Sequence, residues 1–191
     1  GTGRSTRFLQ KNDFKTIGVD ISKNMIYKAT EIDPEGDYRL SMDSLSNKFE
    51  NDSFDLILSI FTFDNIPTMD KKIETFQELG DLVKDNGRIV NLVSAPEIYW
   101  NEWASFTTKD FPENKTAKSG DKVKIIMKDV TDKRPVEDVI WFDQDYREVY
   151  RSAGLEVLNT YKPLARNDEP FEWINETKIS PWVIYILKKQ A

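Results

Sequence analysis

The sequence contains no cysteine and no histidine. The first absence excludes disulfides, thiolate metal ligands and thiol nucleophiles. The second removes the commonest general base and the commonest metal ligand. A hydrolase triad built on histidine is therefore impossible, and no metal site is expected. No run approaches the ~20 consecutive apolar residues of a transmembrane helix, and no stretch reads as a secretory signal. The expectation is a soluble cytoplasmic protein with no membrane partner.

Positive charge is also in deficit: Lys and Arg number 27 against 33 Asp and Glu, a net charge of −6. Nucleic-acid affinity rests on phosphate contacts and favours a basic face. An acidic chain without a basic run argues against DNA or RNA as a partner, although a local patch is compatible with a negative total. What the sequence does have is length and apolar content. Its 191 residues, 39% of them hydrophobic, fit one domain with a real core. There is no internal repeat and no low-complexity tract.

The first half alternates strand and helix patterns. Thr16 to Asp20 is a short apolar run ending in an acid, as a buried parallel strand would be. Ser22 is placed to cap a helix with Met25, Ile26 and Ala29 on one face. Phe54 to Ser59 (FDLILS) reads as a second buried strand. Asp70 is the expected cap of the next helix, whose face carries Ile73, Phe76, Leu79 and Val83 and which Gly87 should end. A third strand follows from Arg88 to Val93. This alternation predicts an α/β fold, a parallel sheet covered on both faces.

The second half is different. Residues 94–120 are polar and irregular with scattered aromatics, among them Tyr99, Trp100, Trp103, Phe106 and Phe111. Two strand-like runs, Val123 to Asp129 and Val136 to Phe142, flank the turn-like TDKRP. Asp143 is the expected cap of a helix bearing Tyr146, Val149, Tyr150 and Ala153, closed by Gly154. Leu155 to Tyr161 and Trp182 to Leu187 read as the final strands.

The chain opens on Gly1-Thr2-Gly3-Arg4-Ser5-Thr6. Glycines let backbone approach a ligand closely, and free N–H groups at a helix start attract an anion; a simple turn is the bland reading. Asp20, at the end of the next strand, is placed to accept the hydroxyls of a ribose, as in dinucleotide folds, or simply to cap the following helix.

In order and spacing these motifs resemble those of the class I, Rossmann-like S-adenosylmethionine-dependent methyltransferases. Gly1 to Thr6 is similar to the end of the family's glycine motif, and Ile17-Gly18-Val19-Asp20-Ile21-Ser22 to its ribose-binding motif. Asp43-Ser44-Leu45 resembles the segment in which an acid meets the adenine amino group. Phe49 to Ser59 and Leu82 to Leu92 resemble the fourth- and fifth-strand motifs. The resemblance implies a doubly wound, mostly parallel seven-stranded sheet whose last strand, Trp182 to Leu187, runs antiparallel. It implies a methyltransferase using S-adenosylmethionine as cofactor, held by Gly1, Thr2, Gly3, Arg4, Thr6, Asp20, Ile21, Asp43, Ser44, Leu45, Ser59 and Phe61. Residues 1–191 would form a single domain. Residues 94–142 would be an insertion or lid region, its β-hairpin from Val123 to Phe142 placed over the cofactor mouth.

Two departures stand out. The family's first strand, its acid and its first glycine would lie upstream of Gly1, so an N-terminally incomplete domain is expected. Phe63-Asp64-Asn65 stands where many relatives carry histidine. A nicotinamide dinucleotide site is the rival for the glycine loop, but its fingerprint wants a third glycine where Thr6 stands.

The expected reaction is methyl transfer to a small-molecule acceptor. Methylation of a protein or RNA, and a non-catalytic module that keeps the fold, are the alternatives. Asp64 is a candidate base because it follows a strand at its ligand-binding end; a turn acid is the structural alternative. Tyr146 and Glu137 are weaker candidates, and no catalytic base is assigned. Phe63, Asp64, Tyr99, Trp100, Trp103, Trp141 and Tyr146 are the expected substrate-binding residues, the aromatics forming either a lid or a small auxiliary core. Pro135 to Asp138 sets two acids beside a strand, where they would meet an amine acceptor or face solvent.

Overall fold

The computed structural model describes residues 1–42 and 44–190. The chain gathers into two compact units, Gly1–Ser53 and Phe54–Ala191.

The first unit begins with α1 (Arg4–Gln10), β1 (Ile17–Asp20), α2 (Lys23–Ile32) and β2 (Asp37–Leu40). Ser22 caps α2 as its pattern suggests, its hydroxyl accepting from the Met25 N–H at 3.4 Å. Ala29, on α2 itself, is fully buried. β1 and β2 pair in parallel, Ile17 opposite Asp37 and Asp20 opposite Leu40. Sequence pattern misses β2, because it is four residues long with Asp37 and Arg39 at alternate positions.

The second unit contains β3 (Phe54–Ile60), α3 (Met69–Leu82), β4 (Val83–Ser94), β5 (Phe106–Thr107), β6 (Lys122–Met127), β7 (Val136–Val139), α4 (Asp143–Ser152), β8 (Leu155–Tyr161) and β9 (Trp182–Lys189). Its main sheet has the order β3-β4-β9-β8. β3 and β4 are parallel, and β9 lies between β4 and β8, antiparallel to both. β3, β4 and β8 therefore share one direction and β9 opposes them. Alternation buries Ile89, Asn91 and Val93 of β4 with Val183, Tyr185 and Leu187 of β9. Each large apolar side chain so buried contributes roughly 1.5–3 kcal/mol.

The expected seven-stranded sheet is not found as one sheet. The described strands form a parallel pair, a four-stranded mixed sheet and a three-stranded antiparallel sheet of order β5-β6-β7. The strand of Asp20 pairs only with β2 among the described strands. Val19, expected to be buried, is 40% exposed.

Two helix boundaries also differ. Thr68, not Asp70, caps α3, accepting from the Lys71 N–H at 3.4 Å, and Asp70 sits in the first turn beside the positive end of the helix. α3 stops at Leu82, so Gly87 lies within β4. A Cβ on Gly87 would come within 2.6 Å of the Val83 side chain and 3.0 Å of the Asp55 carbonyl, which accounts for glycine there. Asp143 opens α4, whose cap position is Phe142; Gly154, with φ 73°, closes it in the left-handed region.

The irregular segment after β4 makes a core of its own. Ile98, Tyr99, Trp103, Phe106, Val123, Ile125 and Ile140 form a buried cluster around the small sheet. Asn114, 2% exposed, ties it together by donating to the carbonyls of Tyr99 (2.9 Å) and Lys124 (2.8 Å). Among the described residues no helix is long and apolar enough to cross a membrane.

Candidate functional site

In the first unit the glycine loop and the acid of β1 meet. Gly3 is the cap residue of α1 with φ 76°. A Cβ there would approach the Tyr38 ring to 2.7 Å, so both backbone angle and space require glycine. Gly18 is equally confined: a Cβ would lie 2.7 Å from Thr6 Oγ1 and from the Tyr38 ring. The Asp20 carboxylate accepts from the Ser22 N–H at 2.8 Å and from the amino group of Gly1. An acid fixed by a backbone donor and facing a glycine backbone fits a ligand bearing vicinal hydroxyls. Ile21, immediately after it, is 77% exposed, apolar surface available for a planar ring. Thr2 accepts from Arg7 Nη1 at 2.7 Å, Arg4 is exposed in the first turn of α1, and Thr6 is buried. Ser44 caps a short 3-10 turn that begins at Leu45. Asp43 lies outside the described residues.

In the second unit the site is built at the end of β3. Ser59 is 3% exposed, and its hydroxyl has no partner among the described residues. Phe61 has φ 51°, a strained angle for a bulky residue, while its N–H still reaches the Leu92 carbonyl at 2.9 Å. Such strain persists where surroundings hold it and often marks a ligand site. The turn it creates carries Phe63 and Asp64 inward.

Asp64 is 5% exposed. Its Oδ2 accepts from the Ser94 N–H at 2.9 Å, and its Oδ1 is buried without a partner among the described residues. Burial pushes this carboxyl up to about 6, against the hydrogen bond from Ser94 and the charge of Lys72, which both favour ionisation. Lys72, fully buried on α3, donates to the carbonyls of Phe63 (2.5 Å) and Asp64 (3.2 Å). Its ammonium also lies 4.8 Å from the centre of the Trp141 ring and 5.0 Å from that of Tyr146. Burial pulls its pKa down to about 8, and the Asp64 charge opposes that pull. Sequence reading missed Lys72, although it lies four residues before Phe76 and seven before Leu79, on the buried stripe of α3.

Two cavities adjoin this network. The larger, about 250 Å³, is bordered by Phe61, Asp64, Phe106, Met127, Asp138 and Trp182 among others. Phe61 and Trp182 pair across its wall with ring centres 5.0 Å apart. Asp138 accepts from Asn65 Nδ2 at 3.1 Å and, at 3.5 Å, from the Tyr99 hydroxyl. The smaller, about 150 Å³, is bordered by Ser94, Glu97, Trp100, Trp141, Tyr146 and Tyr185 among others.

The aromatics singled out in the sequence therefore divide. Trp103 is wholly buried in the apolar cluster, its indole N–H bonded to the Ile98 carbonyl at 2.9 Å. Trp100 and Trp141 border the smaller cavity with Tyr146, not the one beside Phe61 and Asp64. Tyr99 is buried in the cluster and touches Asp138 through its hydroxyl. Phe63 packs edge-on against Phe76 with ring centres 5.6 Å apart. Burial raises the Tyr146 phenol well above its ordinary value, so it stays protonated. Glu137 is exposed and bonded to Lys122 at 2.9 Å, which holds its carboxyl low. Phe106, Met127, Asp138 and Trp182 were not read from the sequence as lining one pocket, because they come from four separate segments.

A parallel strand pair ending in an acid, and a mixed sheet whose β9 opposes β3, β4 and β8, define a Rossmann-like α/β protein. Residues 1–91, just under half of the chain, match the methyltransferase domain family. No curated protein matches the chain in sequence. Solved structures share its fold. An S-adenosylmethionine-dependent methyltransferase from Clostridium acetobutylicum is 16% identical, with a TM-score of 0.63 over 100% of this chain and 81% of that one. One from Methanosarcina mazei is 12% identical, with a TM-score of 0.70 over 100% and 89%. One from Mesorhizobium loti is 15% identical, with a TM-score of 0.69 over 99% and 87%. At such identity the likeness concerns fold alone. The family matched over residues 1–91 is the one that the motifs resemble.

Proposed function

We propose that the chain transfers a methyl group from S-adenosylmethionine to a small-molecule acceptor. The enzyme class rests on the methyltransferase-domain match. The acceptor class rests on one observation: the cavity of about 250 Å³ beside Phe61 and Asp64, small and mainly apolar with a few polar groups.

The bound cofactor supplies an electrophilic methyl carbon on sulfur, so the hard chemistry is its own. The chain's residues bind and align. Gly1, Thr2 and Gly3 offer backbone to the cofactor, Asp20 accepts its ribose hydroxyls, and Ile21, Ser44 and Leu45 flank its base. Ser59 lies near the end of β3 and Phe61 just after it, where the acceptor pocket starts. The segment 94–142 acts as an insertion that closes that pocket with Phe106, Ile125, Met127 and Asp138. Excluding water and holding the acceptor in line lower the barrier by positioning. A cytoplasmic setting and one methyltransferase-like domain over residues 1–191 belong to the same reading.

Titration calorimetry with S-adenosylhomocysteine tests the cofactor half. Asp20→Ala should weaken binding by ~1–3 kcal/mol, the cost of lost hydrogen bonds to a buried polar ligand. Unchanged affinity would remove Asp20 from the ribose role. For the acceptor half, radiolabelled methyl should pass into the small-molecule fraction of a cell extract. Label appearing only in protein or RNA would overturn that half.

A further inference from the structure

The larger cavity carries a chemical bias. Two of its bordering residues, Asp64 and Asp138, are acids, and among the described residues no Lys or Arg borders it. Lys72, the nearest buried cation to Asp64, turns its ammonium to the carbonyls of Phe63 and Asp64 and to two aromatic rings. One buried cation against two carboxylates leaves the neighbourhood one negative charge in excess. Asp64 Oδ1, with no partner among the described residues, is an open acceptor in a residue 95% withdrawn from solvent. Leaving such an atom unpaired costs free energy, and a donor in the cavity would recover it.

From this arrangement we propose that the cavity binds a small primary or secondary amine as its ammonium, held by Asp64 and Asp138, with its hydrocarbon body against Phe61, Phe106 and Trp182. An anion would meet two like charges, and an apolar molecule would strand Asp64 Oδ1. A neutral alcohol offers one O–H donor and no charge. An ammonium brings several N–H donors, the missing positive charge and affinity for the faces of the Phe61–Trp182 pair. The volume accommodates a guest about the size of an arylethylamine.

The role of this amine as methyl acceptor rests on the methyl-transfer reading above; its binding does not. For transfer, the ammonium gives one proton to the Asp64 carboxylate and through it to solvent, exposing the nitrogen lone pair. The N–CH3 bond then forms as the S–CH3 bond of the sulfonium donor breaks. The positive charge moves from sulfur to nitrogen.

Calorimetry separates the two ideas. The chain is titrated with phenethylamine, 2-phenylethanol and 3-phenylpropionate, each with and without S-adenosylhomocysteine. Phenethylamine should bind at least tenfold more tightly than the alcohol, and the carboxylate should not bind. Asp64→Asn and Asp138→Asn should each reduce amine affinity at least tenfold, with circular dichroism confirming that both variants fold. Equal binding of amine and alcohol, no amine binding at millimolar concentration, or indifference to both substitutions overturns the proposal. Amine selectivity without S-adenosylhomocysteine binding keeps the ammonium site and defeats methyl transfer. Cofactor-product binding without amine selectivity does the reverse.

Discussion

Replacing Asp64 with Asn should change how stability depends on pH, and the size of the change follows from burial. The folded protein raises this carboxyl from 3.8 to about 6. The difference corresponds to about 3 kcal/mol between its protonation states. Because the folded pKa lies above the unfolded one, the fold prefers the protonated acid. That preference is fully present below 3.8 and is lost as pH rises through about 6. The amide is nearly isosteric, and its oxygen can still accept from the Ser94 N–H, as Oδ2 does at 2.9 Å. It has no charge to desolvate. Asp138 and the buried tyrosines around the site are common to both proteins, while Lys72 loses the Asp64 charge that favours its ammonium and so adds to the difference only towards the upper end of the pH range. The stability of Asp64→Asn relative to the parent should therefore grow by about 3 kcal/mol between pH ~3.5 and ~7. Urea unfolding of both proteins at half-unit pH steps measures it. Parallel stability profiles across that window would refute the reasoning, because they would mean that Asp64 ionises in the fold as easily as in the unfolded chain.

Three further outcomes are expected. Lys72→Met removes the cation that favours the Asp64 carboxylate, so the carboxyl resonance of Asp64 should titrate above about 6; an unchanged or lower midpoint excludes Lys72 as its counter-charge. Gly3→Ala puts a Cβ at φ 76° and 2.7 Å from the Tyr38 ring, and should cost ~1–3 kcal/mol, the steric part returning in a Tyr38→Ala background. Trp103→Ala, emptying a wholly buried site, should cost ~3–5 kcal/mol by urea unfolding, and Trp100→Ala, at a half-buried position, clearly less; equal costs would contradict the burial assigned to them.

Sequence pattern reveals elements where local chemistry and tertiary context agree. FDLILS is read as a strand because a short apolar run has few other uses, and β3 spans Phe54–Ile60, although Leu56, Ile57 and Leu58, expected to be buried, are half-buried. Gly154 is read as a helix stop because a left-handed residue needs glycine, and its φ is 73°. Errors arise where several residues could do the same job. Thr68 and Asp70 both suit a helix cap, and only the path of the preceding turn selects Thr68. Gly87 was read as a helix stop, but close packing against Val83 and Asp55 explains it. The site follows the same rule. Asp20 and Asp64 are visible because each follows a strand; Lys72 and Asp138 become visible only when distant segments meet. A buried lysine on an apolar stripe reads as a surface residue until the carbonyls and rings that receive it are in place.

β9 imposes an order of events on the making of the protein. Ile89 of β4 pairs with Leu187, and Leu155 of β8 with Lys189. As the chain leaves the ribosome, β3 and β4 can form their parallel ladder early, yet one edge of β4 must wait for residues made almost a hundred positions later. β8 cannot join the sheet at all until β9 arrives to bridge it. The nascent chain therefore carries an open strand edge along Ile89 to Val93 until β9 has been made. That edge is a template for pairing with another chain. Yield in a cell should depend on what shields it in those seconds, and folding should finish only after β9 has emerged.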